Sequence, residues 1–153
     1  MRVEQYEGDR ARLLPLFELA DDSRSQLDQY LDAGEVFVAH DGDEIVGHLQ
    51  LVAARDGDVV EIKNMAVLEA HQGNGVGRAL VEHALAQART DGCTRVLVAT
   101  GSADVGNLRF YQRLGFRMLS VERDVFTPAE GYPDGLEVDG IPLRDRVWFD
   151  QHL

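Results

Sequence analysis

Gly73, Gly75 and Gly77 alternate in the stretch Gly-Asn-Gly-Val-Gly, which joins an apolar run ending at Val67 to another that begins Ala79-Leu80-Val81. Glycines in such a turn let backbone N–H groups approach an anion closely. If a helix opens there, its first turn adds unpaired donors and the positive end of its dipole. The stretch reads as a cradle for a pyrophosphate, and its spacing narrows the choice. A dinucleotide fingerprint, G-x-G-x-x-G, started at Gly75 puts Leu80 where the third glycine belongs. A Walker loop needs Gly-Lys-Ser or Gly-Lys-Thr, and the chain's single lysine is Lys63. Neither nucleotide motif fits.

What fits is Gln72-x-x-Gly75-x-Gly77, directly after a strand ending Met65-Ala66-Val67. This resembles the hallmark of the GNAT superfamily of acetyl-CoA-dependent N-acetyltransferases, (Arg or Gln)-x-x-Gly-x-(Gly or Ala), at its strand-to-helix junction. The competing reading is an ordinary glycine-rich loop. A second passage, Phe110-Tyr111-Gln112-Arg113-Leu114-Gly115-Phe116, resembles the superfamily's later motif of a tyrosine, a few helical residues and Gly-Phe. The resemblance covers essentially the whole chain, with its specific part in residues 59–117.

The resemblance implies direct attack of an amine on the thioester carbonyl of acetyl-CoA; the rival reading is a non-catalytic acyl-CoA-binding or regulatory module that keeps the glycine loop but has no working base. An amine with a pKa of about 10 is protonated at neutral pH, so a carboxylate or a water relay must take a proton. Glu61, fourteen residues before Gly75 where some members carry a glutamate base, is the first candidate; the alternative is an edge carboxylate paired with Lys63. Main-chain N–H near Met65 or Ala66 would polarise the carbonyl, because the family splays two strands apart there. Val67 would touch the pantetheine arm. Gln72, Gly73, Asn74, Gly75, Val76, Gly77 and Arg78 would hold the pyrophosphate, mainly through main-chain amides, with Arg78 adding charge. Tyr111 matches the tyrosine that protonates the thiolate; its alternative is a core tyrosine. Where many members have an asparagine seven residues before that tyrosine, this chain has Asp104, so Asn107, Ser102 or the loop backbone is left to bond the cofactor arm.

These groups must be positioned by a mixed twisted α/β (α+β) sheet of six or seven strands with helices on both faces. Expected in order are a strand at Arg2 to Tyr6, Asp9 as a helix cap, an apolar helix disturbed early by Pro15, and a helix from Ser23 to Ala33 stopped by Gly34. A three-strand antiparallel meander follows: Glu35 to Ala39, Glu44 to Ala53 after the Asp41-Gly42 turn, and Val59 to Val67. A helix from Val76 to Thr90 leads to a strand, Thr94 to Ala99, buried on both faces and parallel to the one before. A short helix from Asn107 to Leu114, a strand from Phe116 to Phe126, a proline- and glycine-rich loop, and a strand from Arg144 to Leu153 complete the chain. Asp21, Asp22, Asp28 and Asp32 border the region where the acceptor is expected; as helix-surface charge they are also simply solvated.

At 153 residues the chain is one domain. No basic-then-apolar leader and no apolar run near about 20 residues occurs, so a soluble cytoplasmic protein is expected. Cys93, the only cysteine, reads as a small hydrophobe at a strand start, and the five histidines share no metal-ligand spacing. A net charge of -12 argues against nucleic acid or anionic membrane as partner. Residues 1–60 carry 14 acidic and 5 basic side chains, residues 61–117 carry 5 and 7, and residues 118–153 carry 8 and 3. The only basic segment is thus the one with the anion cradle, which suits an anionic cofactor there and a cationic amine beside it. Adaptation to high internal salt would also give an acidic surface, and unfolding curves at low and at molar potassium chloride separate the two. The acceptor is read as a small-molecule or peptide amine, and a homodimer is left open.

Overall fold

The computed structural model describes all residues from Met1 to Leu153. Seven strands form one sheet, in the order β1, β2, β3, β4, β5, β9, β6. They are β1 (Arg2–Gln5), β2 (Glu35–Asp41), β3 (Glu44–Ala53), β4 (Val59–Val67), β5 (Arg95–Gly101), β6 (Arg117–Glu122) and β9 (Arg146–His152). A small separate hairpin pairs β7 (Glu137–Val138) with β8 (Ile141–Pro142). The helices are α1 (Leu14–Ala20), α2 (Arg24–Tyr30), α3 (Val76–Thr90) and α4 (Val105–Arg113). All pairs are antiparallel except β4 with β5, the pair joined by α3 as a crossover. No helix is long and apolar enough to cross a membrane.

Alternation in β2 shows how the two layers arise. Phe37 and Ala39 join the larger core under α3 and α4, with Leu49, Ile62, Leu80, Val98, Tyr111 and Phe149. Val36 and Val38 point the other way and join Leu13, Leu16, Phe17 and Leu27 under α1 and α2. Consecutive residues of one strand thus feed opposite cores, which is why Val36 to Ala39 are all apolar and all buried.

Local signals set most boundaries. Asp9 Oδ1 accepts from Ala11 N at 2.9 Å and caps a 3₁₀ turn, Arg10–Leu13, while Pro15 sits in the first turn of α1 where no N–H is needed. Ser23 caps α2, which ends at Tyr30 rather than Ala33 because Gln50 Nε2 and the Arg10 guanidinium take the carbonyls of Tyr30, Leu31, Ala33 and Gly34. Asp104 caps α4 at Asn107 N, 3.0 Å, so the helix starts at Val105, two residues before the expected Asn107. The strand expected from Phe116 to Phe126 stops at Glu122. Beyond it Asp124 adopts φ 58° and its N–H bonds Asp145 Oδ1, which turns the chain out of the sheet. The segment 123–145 then crosses toward α2, where Ser23 Oγ donates to Glu130 O at 3.2 Å.

Candidate active site

β4 and β5 pair over only four residues, from Val59↔Arg95 to Ile62↔Val98. Both continue, β4 to Val67 along β3 and β5 to Gly101 along β9, without pairing further with each other. A gap opens between two parallel strands at mid-sheet, and the glycine turn lies at the end of β4. Leu68 N bonds Val46 O on β3 at 2.9 Å, so alternation turns the amides of Ala66 toward β3 and those of Met65 and Val67 toward the gap. Of the two residues expected to offer an N–H to a thioester, Met65 therefore faces the gap. Ala66 packs its side chain beside the smaller core instead.

The turn leaves main-chain N–H groups free at the start of a helix. Gly73 and Gly75 hold φ of +80° and +85° with open space where a Cβ would stand, so glycine is required there by backbone conformation. Gly77 has a different reason: a Cβ would lie 3.2 Å from the Phe110 ring of α4, so glycine lets the two helices approach. Gly75 caps α3 with no side-chain bond, and the first intrahelical bond runs from Ala79 N to Gly75 O at 3.0 Å. The N–H groups of Val76, Gly77 and Arg78 are left without intrahelical acceptors. Gln72 is exposed, and its Nε2 donates to Val67 O at 3.0 Å and ties the turn to the end of β4. Arg78 is exposed and paired with Glu82 at 2.8 Å, so its charge is within reach of the turn but shared.

Tyr111 lies in the larger core, edge-on to Phe110 and Phe116 and tilted against Phe149. Burial first, then the nearby Asp104 carboxylate, raises its pKa, so the phenol stays protonated through the neutral range. Asn107 bonds Thr100 Oγ1 at 3.2 Å, which links α4 to β5 on the far wall of the gap.

The opposite face of the sheet is lined by side chains. A bulge at Lys63, opposite the Gln50/Leu51 step of β3, sets Ile62 with Leu51 in the larger core and Asn64 with Gln50 on the α1/α2 face. Glu61, paired with Val52, also lies on that face. β4 is a central strand, so Glu61 is not the edge carboxylate of the alternative reading, and Lys63 extends instead over the Tyr30 ring, its Nζ 4.9 Å from the centroid. Burial pushes the Glu61 pKa up, opposed by Lys63 and Arg146. From the other end of the chain come Arg146, which stands 5.5 Å from the Phe126 ring centroid, and Tyr132, edge-on to Phe126. Burial, with Asp21 nearby, pushes the Tyr132 pKa up to about 12. Of the four aspartates expected near an acceptor, Asp21 lies beside Tyr30 and Tyr132, Asp22 follows it, exposed, at the α1–α2 junction, Asp28 is spent on Arg24 at 2.8 Å, and Asp32 lies beyond the end of α2.

Behind this face runs a buried chain of hydrogen bonds. Tyr30 Oη donates to Asp21 Oδ2 at 2.6 Å, Asn64 Nδ2 donates to Tyr30 Oη at 3.0 Å and to Phe17 O at 3.2 Å, and His48 Nε2 meets Asn64 Oδ1 at 2.8 Å. Both amide protons of Asn64 are used, so Nε2 of His48 carries the donated proton. Burial holds the His48 pKa down to about 4 and keeps the ring neutral. Sequence reasoning passed over Asn64, His48, Gln50, Tyr132 and Arg146. The first three had a signal, as polar residues inside apolar strands; Tyr132 sits in an irregular segment that had none.

Comparison with known proteins agrees with this geometry. Residues 5–116 match the model of the acetyltransferase (GNAT) family. The chain is similar to an uncharacterized N-acetyltransferase, YvbK, of Bacillus subtilis, at 35% identity over 96% of this chain and 93% of that protein. A Bacillus subtilis acetyltransferase solved in complex with CoA superposes with a TM-score of 0.90 at 35% identity, covering 99% of this chain and 98% of the other. A GNAT family acetyltransferase of Elizabethkingia anophelis with acetyl-CoA bound gives a TM-score of 0.90 at 30% identity, over 99% and 97%. With the divergent strands, the uncapped helix and these relatives in agreement, the chain belongs to the acetyltransferase (GNAT) family and is an acetyl-CoA-dependent acyltransferase.

Proposed function

We propose that this protein transfers acetyl from acetyl-CoA to a primary amine by direct attack, with the amine arriving on the α1/α2 face. The observation that carries the reading is the position of Glu61. It is half-buried one residue before β4 and β5 part, on the face opposite the larger core. The pyrophosphate is held by the free N–H groups at Gly75 to Arg78, the pantetheine arm runs along Val67, and Asn107 or its loop supports the far side. The thioester oxygen takes the N–H of Met65, which stabilises negative charge as the amine adds to the carbonyl carbon. The carbon–sulfur bond then breaks, and the Tyr111 hydroxyl gives its proton to the departing thiolate.

Four residues of strand separate Glu61 from Met65, about 13 Å along β4. A carboxylate at that distance takes the amine's proton through water rather than by contact. Its raised pKa makes it a better base than a solvated carboxylate, and the ionised form is present once pH exceeds that pKa. Asp21 and Asp22 at the mouth favour an incoming ammonium group. The net charge supports a small-molecule or peptide acceptor over nucleic acid or membrane, and the cytoplasm suits a reaction that consumes acetyl-CoA.

Calorimetric titration with acetyl-CoA, followed on the same sample by a panel of primary amines with free-thiol detection and product mass, tests the reading. Thiol release matched by an N-acetylated product is expected for one amine class. Thiol release with no N-acetylated product from any amine, or tight binding with no turnover, overturns it.

A further inference from the structure

The sheet ends in β6, whose outer edge no other segment pairs. Every residue of β6 is exposed, and Met118, Leu119 and Val121 are 56%, 50% and 61% accessible. A six-residue edge with three exposed apolar side chains and free backbone groups is a template for another strand. Its sequence, Arg117-Met-Leu-Ser-Val-Glu122, is complementary to itself when reversed. About a two-fold axis between Leu119 and Ser120, Arg117 of one copy opposes Glu122 of the other, and Met118 opposes Val121.

The bulge in β6 is what makes that register workable. Residues directly opposite in an antiparallel pair must share a face, and in a regular strand 118 and 121 would not. Here the register with β9 shifts between Met118 and Ser120. Met118 pairs with Phe149 and Val121 with Val147, both core residues, so the two apolar side chains stand on one face. Arg117 pairs with Asp150 and Glu122 with Arg146, on the other face. Glu122 already accepts from Trp148 Nε1 and lies 3.6 Å from Arg146, contacts made by Oε1 that leave Oε2 for an arginine of the partner.

We propose that a second copy of this chain docks on β6, antiparallel about Leu119 and Ser120, joining two seven-stranded sheets into one across the dimer. The paired edges bury Met118 against Val121 twice and form two Arg117–Glu122 pairs between subunits, and they leave the gap between β4 and β5 in each copy untouched.

Light scattering behind size exclusion, with sedimentation velocity over a range of concentrations, tests this on the full chain. The wild type is expected at twice the 17.0 kDa chain mass. Val121→Lys sets a charged side chain against the partner's Met118 and shifts the mass to one chain. Arg117→Glu and Glu122→Arg each raise the dimer dissociation constant about tenfold or more, and the double reversal restores it, because the opposed charges are again unlike. Far-UV dichroism and melting of each variant establish that the monomer is folded. A wild type that is monomeric at about 100 µM overturns the proposal. So does a dimer whose mass none of these variants changes, since another face would then hold it.

Discussion

The two sides of the gap are built from different materials. The cofactor side is main chain: two left-handed glycines, an uncapped helix start and strand amides turned toward a space that no neighbouring strand fills. The face proposed for the acceptor is side chains gathered from four separate segments, with Asp21 and Tyr30 from the α1/α2 region, Glu61 and Lys63 from β4, Tyr132 from the long crossing segment and Arg146 from β9. A backbone site tolerates change in almost every side chain but not in its glycines. A side-chain site can change its ligand by single substitutions on an unchanged frame. On the proposed reading, the cofactor side can stay constant while the acceptor side varies from chain to chain.

The largest effect expected of any single change falls on the backbone side. Gly75→Glu brings a side chain and a negative charge to a left-handed position at the helix start, and acetyl-CoA binding by calorimetry should weaken by more than about 100-fold. Gly77→Ala is the control that separates the two glycine roles: it presses on the Phe110 ring and should lower the melting temperature by a few degrees while leaving acetyl-CoA affinity within about threefold.

In the larger core beside the cofactor side, Tyr111→Phe should lower kcat about tenfold or more with acetyl-CoA affinity nearly unchanged. Equal losses in both would mark the tyrosine as purely structural. A smaller effect, on stability alone, is expected from His48. Its pKa is held below the ordinary 6.5 in the folded chain, so the folded state binds fewer protons than the unfolded one. The stability it contributes is complete above about pH 6.5 and is lost as pH falls toward about 4. Melting temperature should drop across that window by roughly 5 °C, and His48→Gln should flatten the drop.

The contrast between the two sides also sets what the sequence could tell. A phosphate cradle is local in sequence, so Gln72 to Arg78 could be read from one stretch, as could the strand and helix that flank it. Strand alternation made both layers of the sheet legible, and the turn at Asp41-Gly42 fixed the meander. Glu61 was legible by its place fourteen residues before Gly75, which the resemblance marks, but its surroundings were not, because the bulge at Lys63 appears only when β4 is laid against β3. Tyr132 and Arg146 reach the site only through tertiary folding of residues 123–145, whose path follows no period. The early start of α4 reflects a cap, Asp104, that was seen only as a missing asparagine.

The claim on which the account rests is that Glu61, at the point where β4 and β5 part, serves as the base for the amine. The direct test compares kcat/KM of the wild type and Glu61→Gln for the amine that releases thiol, with acetyl-CoA affinity measured in parallel. The account predicts a loss of about 100-fold or more with cofactor affinity unchanged, and loss of the acidic limb of the pH–rate profile that Glu61 ionisation produces. A variant that keeps wild-type kcat/KM and the same profile would contradict it.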